Sequence, residues 1–310
     1  MGLTLLEASK LVSGEVKRSA VIEMFARNTD LLRVMPFEDI PGGSLAYNVE
    51  GSLPGVAFRG YNEGYTASTG VINNAVETLK IAGGDLDVDK AMIKTRGPQV
   101  RASQEAMKTK ALALNIADAI INGNSMSDPR TFDGLRNRIV GSQLVPALLT
   151  AAAANSPLSL EALDAAIDAV DGATHLIMSK AMRRKLYKAF RAGVGGDVTF
   201  STDQFGFRVA QYNDLPILIA DYNDNGDRII DFDEAGPGGG STATSIYVVR
   251  FGDGYVTGLQ NGTMDVTDLG EMQVGAPLLR TRIEWLVGMA VMHGRACARV
   301  WGITNADCTS

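Results

Sequence analysis

The chain has 310 residues, 45% hydrophobic and 21% charged, a globular balance that excludes a disordered or fibrous polymer. Its formal net charge is −6, so the molecule as a whole lacks the basic excess by which proteins grip phosphate backbones. No apolar run approaches the ~20 residues that span a bilayer and no secretory leader pattern opens the sequence, so a protein made in the cytosol with no membrane partner is expected.

In chain order, residues 4–27 read as one or two helices. Thr4 and Glu7 have capping-box spacing, and Ala20, Val21, Met24 and Phe25 share one face. This amphipathic arm precedes any obvious core, and a neighbouring copy is the favoured cover for its apolar side. From residue 44 to 88 the pattern turns extended, with 45–49 at one end and 75–81 at the other, where Leu79 and Ile81 alternate with Thr78 and Lys80. Between them residues 51–70 are rich in glycine and polar side chains, with Pro54, Phe58, Tyr61 and Tyr65 scattered through. A segment of that length without structure of its own buries too little to offset its ordering entropy inside a compact domain. A long hairpin packed on another chain resolves this, with Phe58, Tyr61 and Tyr65 as interface anchors.

After Gly97-Pro98 comes a strong helix signal over residues 99–122, with Met107, Ala111, Leu114 and Ile121 near helical spacing and Asn122-Gly123-Asn124 as the stop. Residues 125–138 are turn-rich. A separate α/β unit follows from residue 156: Leu160, Leu163, Ile167 and Val170 form a helical stripe, residues 175–178 a strand, and Ser179 caps a helix over 180–191. Strands are expected at 207–212, 215–220, 245–251 and 255–259, with turns at Asn213-Asp214 and Gly252-Asp253-Gly254. The last portion, 264–269 and 277–303, reads as strands returning to the sheet of the first domain.

Few motifs suggest chemistry. Asp221, Asn223, Asn225 and Asp227, with Gly226 sixth in the run, match the first half of an EF-hand calcium loop. The second half fails, because Arg228 and Phe232 stand where an aliphatic and an acid belong. An exposed acidic turn is the main reading and a calcium site the alternative. The Gly236–Thr242 run lacks the lysine of a phosphate loop and reads as a flexible loop. The 180–191 helix carries Lys180, Arg183, Arg184, Lys185, Lys188 and Arg191, read as a solvated face balancing acidic neighbours, with nucleic-acid contact as the alternative. His175 and His293 belong to no catalytic pattern, Cys297 and Cys308 read as reduced thiols, and no cofactor fingerprint occurs, so no enzyme is expected.

The order of parts, together with the strings Phe37–Gly43, Ala119–Asn124, Phe132–Leu135 and Arg280–Trp285, resembles the major capsid proteins of tailed bacteriophages, an α+β architecture of the Hong Kong 97 type that encapsulin compartments share. The resemblance implies an N-terminal arm (1–43), an extended loop (44–88), a peripheral domain (89–149 and 261–310) with a spine helix (99–122), and an axial domain (150–260). It implies pentamers and hexamers closing into an icosahedral shell around double-stranded DNA held without sequence-specific contacts. The protein would reside in the virion after assembly in the host cytoplasm, with scaffolding, portal and decoration proteins as partners. Some members crosslink a loop lysine to a neighbour's asparagine; no lysine occurs between Lys17 and Lys80 here, so a non-crosslinked shell is expected. The sequence starts almost at the arm, which favours separate scaffolding. An encapsulin-type shell is the alternative within the architecture, and a calcium-binding surface or adhesion module the alternative outside it.

Overall fold

The computed structural model describes residues 3–4, 29–193, 198–202, 208–272 and 277–309. The arm helices expected over 4–27, with Ala20, Val21, Met24 and Phe25, lie outside the described residues apart from Thr4, which is in strand β1 (Leu3–Thr4). After α1 (Asp30–Val34), β2 (Pro36–Asp39) pairs antiparallel with β1. Next come β3 (Ser44–Ser52) and β4 (Val71–Thr78), paired only with each other in a two-stranded sheet, then β5 (Lys80–Asp89), α2 (Lys90–Arg96) and α3 (Gln99–Asn122). The 24 residues of α3 make a rod of roughly 35 Å.

The chain then turns through α4 (Leu135–Arg138) into β6 (Leu144–Pro146), α5 (Leu160–Asp168), β7 (His175–Met178) and α6 (Lys180–Arg191). Strands β8 (Val198–Thr202), β9 (Arg208–Tyr212), β10 (Leu215–Ile219), β11 (Glu234–Ala235), β12 (Ser241–Val249) and β13 (Val256–Gln260) follow, and β14 (Asp265–Glu271), β15 (Leu278–Val291) and β16 (Cys297–Ile303) complete the fold.

Two larger sheets result. The six-stranded one runs β1-β2-β13-β15-β14, with β5 on the other side of β15; the eight-stranded one runs β6-β16-β12-β7-β10-β9-β8, with β11 on β12. Period-two alternation sorts the second sheet between two cores. Ile177, Tyr247 and Val249 face α3 and β15, where they join Leu112, Ile116, Ile120, Ile283, Trp285, Val287 and Met289. Leu176, Met178, Ile246, Val248, Ala298 and Val300 face the other way, against Leu160, Leu163, Met182 and Leu186 of α5 and α6. Helices α3 and α6 therefore lie on opposite faces of one sheet.

Three expectations change. The buried stripe of α3 is Leu112, Ala113, Ile116, Ala117, Ile120 and Ile121, while Met107 is exposed, because only the second half of the rod lies between the sheets. Lys80–Asp89 does not belong to the projecting loop: it pairs with β15 along ten positions, from Lys80 opposite Val287 to Asp89 opposite Leu278. Of the closing strands, β14 and β15 join the first sheet, but β16 joins the second, between β12 and β6, and β13, expected in the inserted domain, lies in the first sheet. The physical reason is hydrophobic pattern: β16 buries both faces, as a central strand must.

Two of the resembling strings meet at the end of α3. The Gly134 N–H donates to Gly123 O at 2.9 Å and Asn137 Nδ2 to the same oxygen at 2.6 Å. A Cβ on Gly134 would stand 2.7 Å from Ala119 O, so the approach requires glycine.

Candidate assembly surface

The surface starts from the β3–β4 hairpin and the loop it carries. The loop, residues 53–70, holds no helix or strand, and its apolar side chains find no cover in their own subunit: Phe58 is 108% exposed, Tyr61 102% and Tyr65 68%, with Leu53 and Val56 likewise open. What local order it has is polar. Ser68 Oγ donates to Gly55 O at 3.0 Å, Glu63 Oε2 accepts from Gly60 N–H at 2.8 Å, and the Arg59 guanidinium lies 5.3 Å from the Tyr65 ring centroid. Solvated aromatics gain nothing from burial in the isolated chain, about 25 cal/mol per Å² forgone, which makes an exposed apolar patch of this kind a candidate contact surface.

The base of the hairpin is held firmly. Arg138 on α4 makes a bidentate pair with Glu77 on β4, the Nη2–Oε2 contact being 2.7 Å. It also donates to Met289 O on β15 at 3.2 Å and to Asp133 O at 2.7 Å. Tyr47 on β3 donates to Val291 O at 3.2 Å and Glu77 Oε1 at 3.3 Å. Burial works against the Arg138 charge, yet the Glu77 carboxylate outweighs it and holds the guanidinium above its ordinary pKa. Burial, then Glu77, push the Tyr47 phenol up. Ile40, Leu259 and Ala290, with Leu45, Tyr47 and Leu79 against them, form a small apolar cluster beneath. An uncovered tip thus stands on a fixed root.

The acidic loop that carries the calcium alternative makes bonds of its own. Asn223 Oδ1 accepts from the N–H groups of Asn225 (3.1 Å) and Asp227 (2.9 Å), which turns that oxygen onto its own backbone. Asp221 pairs with Lys180 Nζ at 2.5 Å. Asn223 Nδ2 donates to Asp118 Oδ2, and Asn122 Nδ2 to Ile229 O, so the turn is stitched to the end of α3. Among the described residues no group of three or more His, Cys, Asp or Glu could hold a metal ion. The glycine run, expected to be a flexible loop, is tied to Asn155, which accepts from Gly238 N–H at 3.2 Å and donates to Gly239 O at 2.9 Å. The histidines make structural contacts: His175 packs on Phe251 and His293 on Tyr255, each at 5.4 Å between centroids. Both cysteines are buried free thiols, and burial pushes that of Cys297 up to about 12.

Polar networks hold the scaffold that presents the hairpin. Arg280 faces Asp87 and Arg282 faces Asp85 across β15 and β5, each bidentate at 2.6–2.9 Å. Glu234, 2% exposed, takes Arg299 at 2.5 Å and Ser245 in the second sheet. The first of these had a sequence signal, since an Arg-x-Arg and an Asp-x-Asp of matching period invite cross-strand pairing. The Arg138–Glu77 and Arg299–Glu234 pairs had none.

Comparison with known proteins agrees with this geometry. Residues 13–153 match the family described as major capsid protein GP7, whereas no curated protein sequence matches. Solved structures with a similar fold include the holo-SrpI encapsulin complex of Synechococcus elongatus PCC 7942, with a TM-score of 0.60 and 16% identity over 100% of this chain and 99% of that one. A native GTA particle capsid has a TM-score of 0.61 at 14% identity, covering 88% and 90%. The Microbacterium phage Oxtober96 structure gives 0.59 at 11%, again covering 88% and 90%. The family match supports a structural, shell-building role, the solved neighbours show the fold, and no helix among the described residues is long and apolar enough to cross a membrane. The chain has the α+β Hong Kong 97-type capsid fold and resembles the major capsid proteins of tailed bacteriophages.

Proposed function

We propose that the chain is the major shell subunit of a phage-type head, assembling as pentamers and hexamers into an icosahedral container for double-stranded DNA. The observation that carries this reading is the loop at 53–70, whose apolar residues are solvated while its root is locked to the core. Residues 44–78 then overlap a neighbouring subunit, with Phe58, Tyr61 and Tyr65 as anchors, α3 is the spine, and the eight-stranded sheet with α5 and α6 forms the unit nearest the capsomer centre. Scaffolding, portal and decoration proteins are the further partners, and the virion is the destination. The net charge of −6 suits a wall that does not trap its cargo.

A second reading has one observation in its favour: the encapsulin structure matches over the full length of both chains. A shell loaded with protein then replaces the DNA container. Negative-stain imaging of the expressed protein tests the shell itself, with uniform closed particles expected and a persistent monomer overturning it. The nucleic-acid to protein absorbance ratio of purified particles from infected or expressing cells separates the two contents.

A further inference from the structure

The two helices on the face of the eight-stranded sheet away from α3 carry opposite charge. Helix α5 presents Glu161, Asp164 and Asp168, with no lysine or arginine. Helix α6 presents Lys180, Arg183, Arg184, Lys185, Lys188 and Arg191, with no acid, in a chain of net −6. Both bury their apolar sides in the same core, but they are displaced along the sheet: α5 packs on β6 and β16 at one edge, α6 on β8 at the other. C-terminal residues are bonded to both helices, as Leu160 N–H donates to Thr309 O at 3.0 Å and Lys188 Nζ reaches Asp307 at 2.6 Å.

Part of this charge has a partner within the subunit. Lys180 pairs with Asp221, Lys188 with Asp307, and Asp164 accepts from Tyr212 Oη at 2.9 Å. Glu161 and Asp168 on one helix, and Arg184 and Arg191 on the other, are exposed and make no ion pair among the described residues. Phe190, 47% exposed, sits among the cations.

We propose that α6 of one copy docks on the α5 flank of the next in a head-to-tail ring, with Arg184 and Arg191 facing Glu161 and Asp168. A heterologous ring contact needs two different patches on one chain, and these two lie toward opposite edges of one sheet face. Their opposite signs set partner and register, and act within the Debye length of ~8 Å at physiological salt. A nucleic-acid partner is less favoured, because, of the aromatics beside the cations, Tyr187 and Phe232 are covered by Arg183 at 5.9 Å and Lys185 at 4.8 Å, and the one exposed ring, Phe190, does not make the run of stacking platforms that successive bases need. This inference rests on the shell reading.

The test is a charge swap read by sedimentation at low salt. All four side chains are exposed, so the variants are expected to melt as the wild type does. Arg184→Glu with Arg191→Glu, and separately Glu161→Lys with Asp168→Lys, each raise the concentration for half-assembly by about tenfold or more. The fourfold variant, and an equal mixture of the two double variants, assemble within about threefold of the wild type. Unchanged assembly of either double variant, or no rescue by the swap, overturns the proposal and leaves the shell reading intact. Normal assembly with a lower nucleic-acid content overturns it in favour of a nucleic-acid contact. A wild type that never assembles overturns the shell reading itself.

Discussion

Strands β4 and β5 are separated by one residue, Leu79, and each carries four apolar side chains. Along β4, Val71, Ile72 and Val76 are exposed, and among the described residues the strand pairs with β3 alone. Along β5 the chain meets β15 at ten positions, with α3 against it; Val88 is buried, and Ile81 alone of its large apolar side chains stays open. The same contrast separates two phenylalanines: Phe37 is 3% exposed and lies 5.1 Å from the Trp285 ring, while Phe58 is fully solvated. Apolar content alone does not decide where a segment contributes energy. The partner does, and for residues 53–70 the proposed partner is a neighbouring copy.

If this contrast is sound, substitutions on the two sides of Leu79 should separate stability from assembly. The largest loss of stability belongs to Trp285→Ala: the indole is 2% exposed at the centre of the core shared by both sheets, and its removal should cost about 3–5 kcal/mol in chemical denaturation of the monomer. Next is Arg138→Ala, which leaves Glu77 without its guanidinium at a site where the two side chains are only 14% and 19% exposed. A loss of about 2–4 kcal/mol is expected, the lower end reflecting residual solvent access. A double-mutant cycle with Glu77→Gln should show strong coupling, and additivity would mean that the root of the hairpin is not one unit.

A smaller effect is tied to pH. Burial alone would raise the Asp133 carboxyl, but the N–H and O–H of Ser125, at 2.8 and 2.9 Å, with Arg138 and Lys80 nearby, hold it below the ordinary value. A depressed folded pKa adds stability above the unfolded value of about 3.9, and that contribution disappears as the pH falls through the folded value. Asp133→Asn should therefore be less stable than wild type at pH 7, and the gap should narrow on acidification below about pH 4. A gap that widens in acid would contradict the assignment. The smallest effect on the monomer is Phe58→Ala, expected within about 0.5 kcal/mol of wild type because the side chain touches nothing it could lose.

Much of this was legible in the sequence where one period dominates. The helix over 99–122, the Ser179 cap, whose Oγ accepts from Met182 N–H at 3.4 Å, and the Asn213-Asp214 turn, with φ of 47° and 62°, follow from local chemistry. The open loop with Phe58, Tyr61 and Tyr65 was legible for a negative reason: nothing near it in sequence could cover it. What local pattern could not give was long-range pairing. The sheet to which β16 belongs, the face of α3 that is buried, and the Arg138–Glu77 lock each depend on residues far apart in the chain. The hydrogen bonds of the acidic turn were equally out of reach, because oxygen spacing alone cannot say that Asn223 accepts from its own backbone.

The most direct measurement is analytical ultracentrifugation of the wild type beside a variant with Phe58, Tyr61 and Tyr65 all changed to alanine. The account predicts a large, fast-sedimenting wild-type particle and a small, folded species for the variant with an unchanged melting curve. Equal assembly of both, or a wild type that remains monomeric at high concentration, would contradict it.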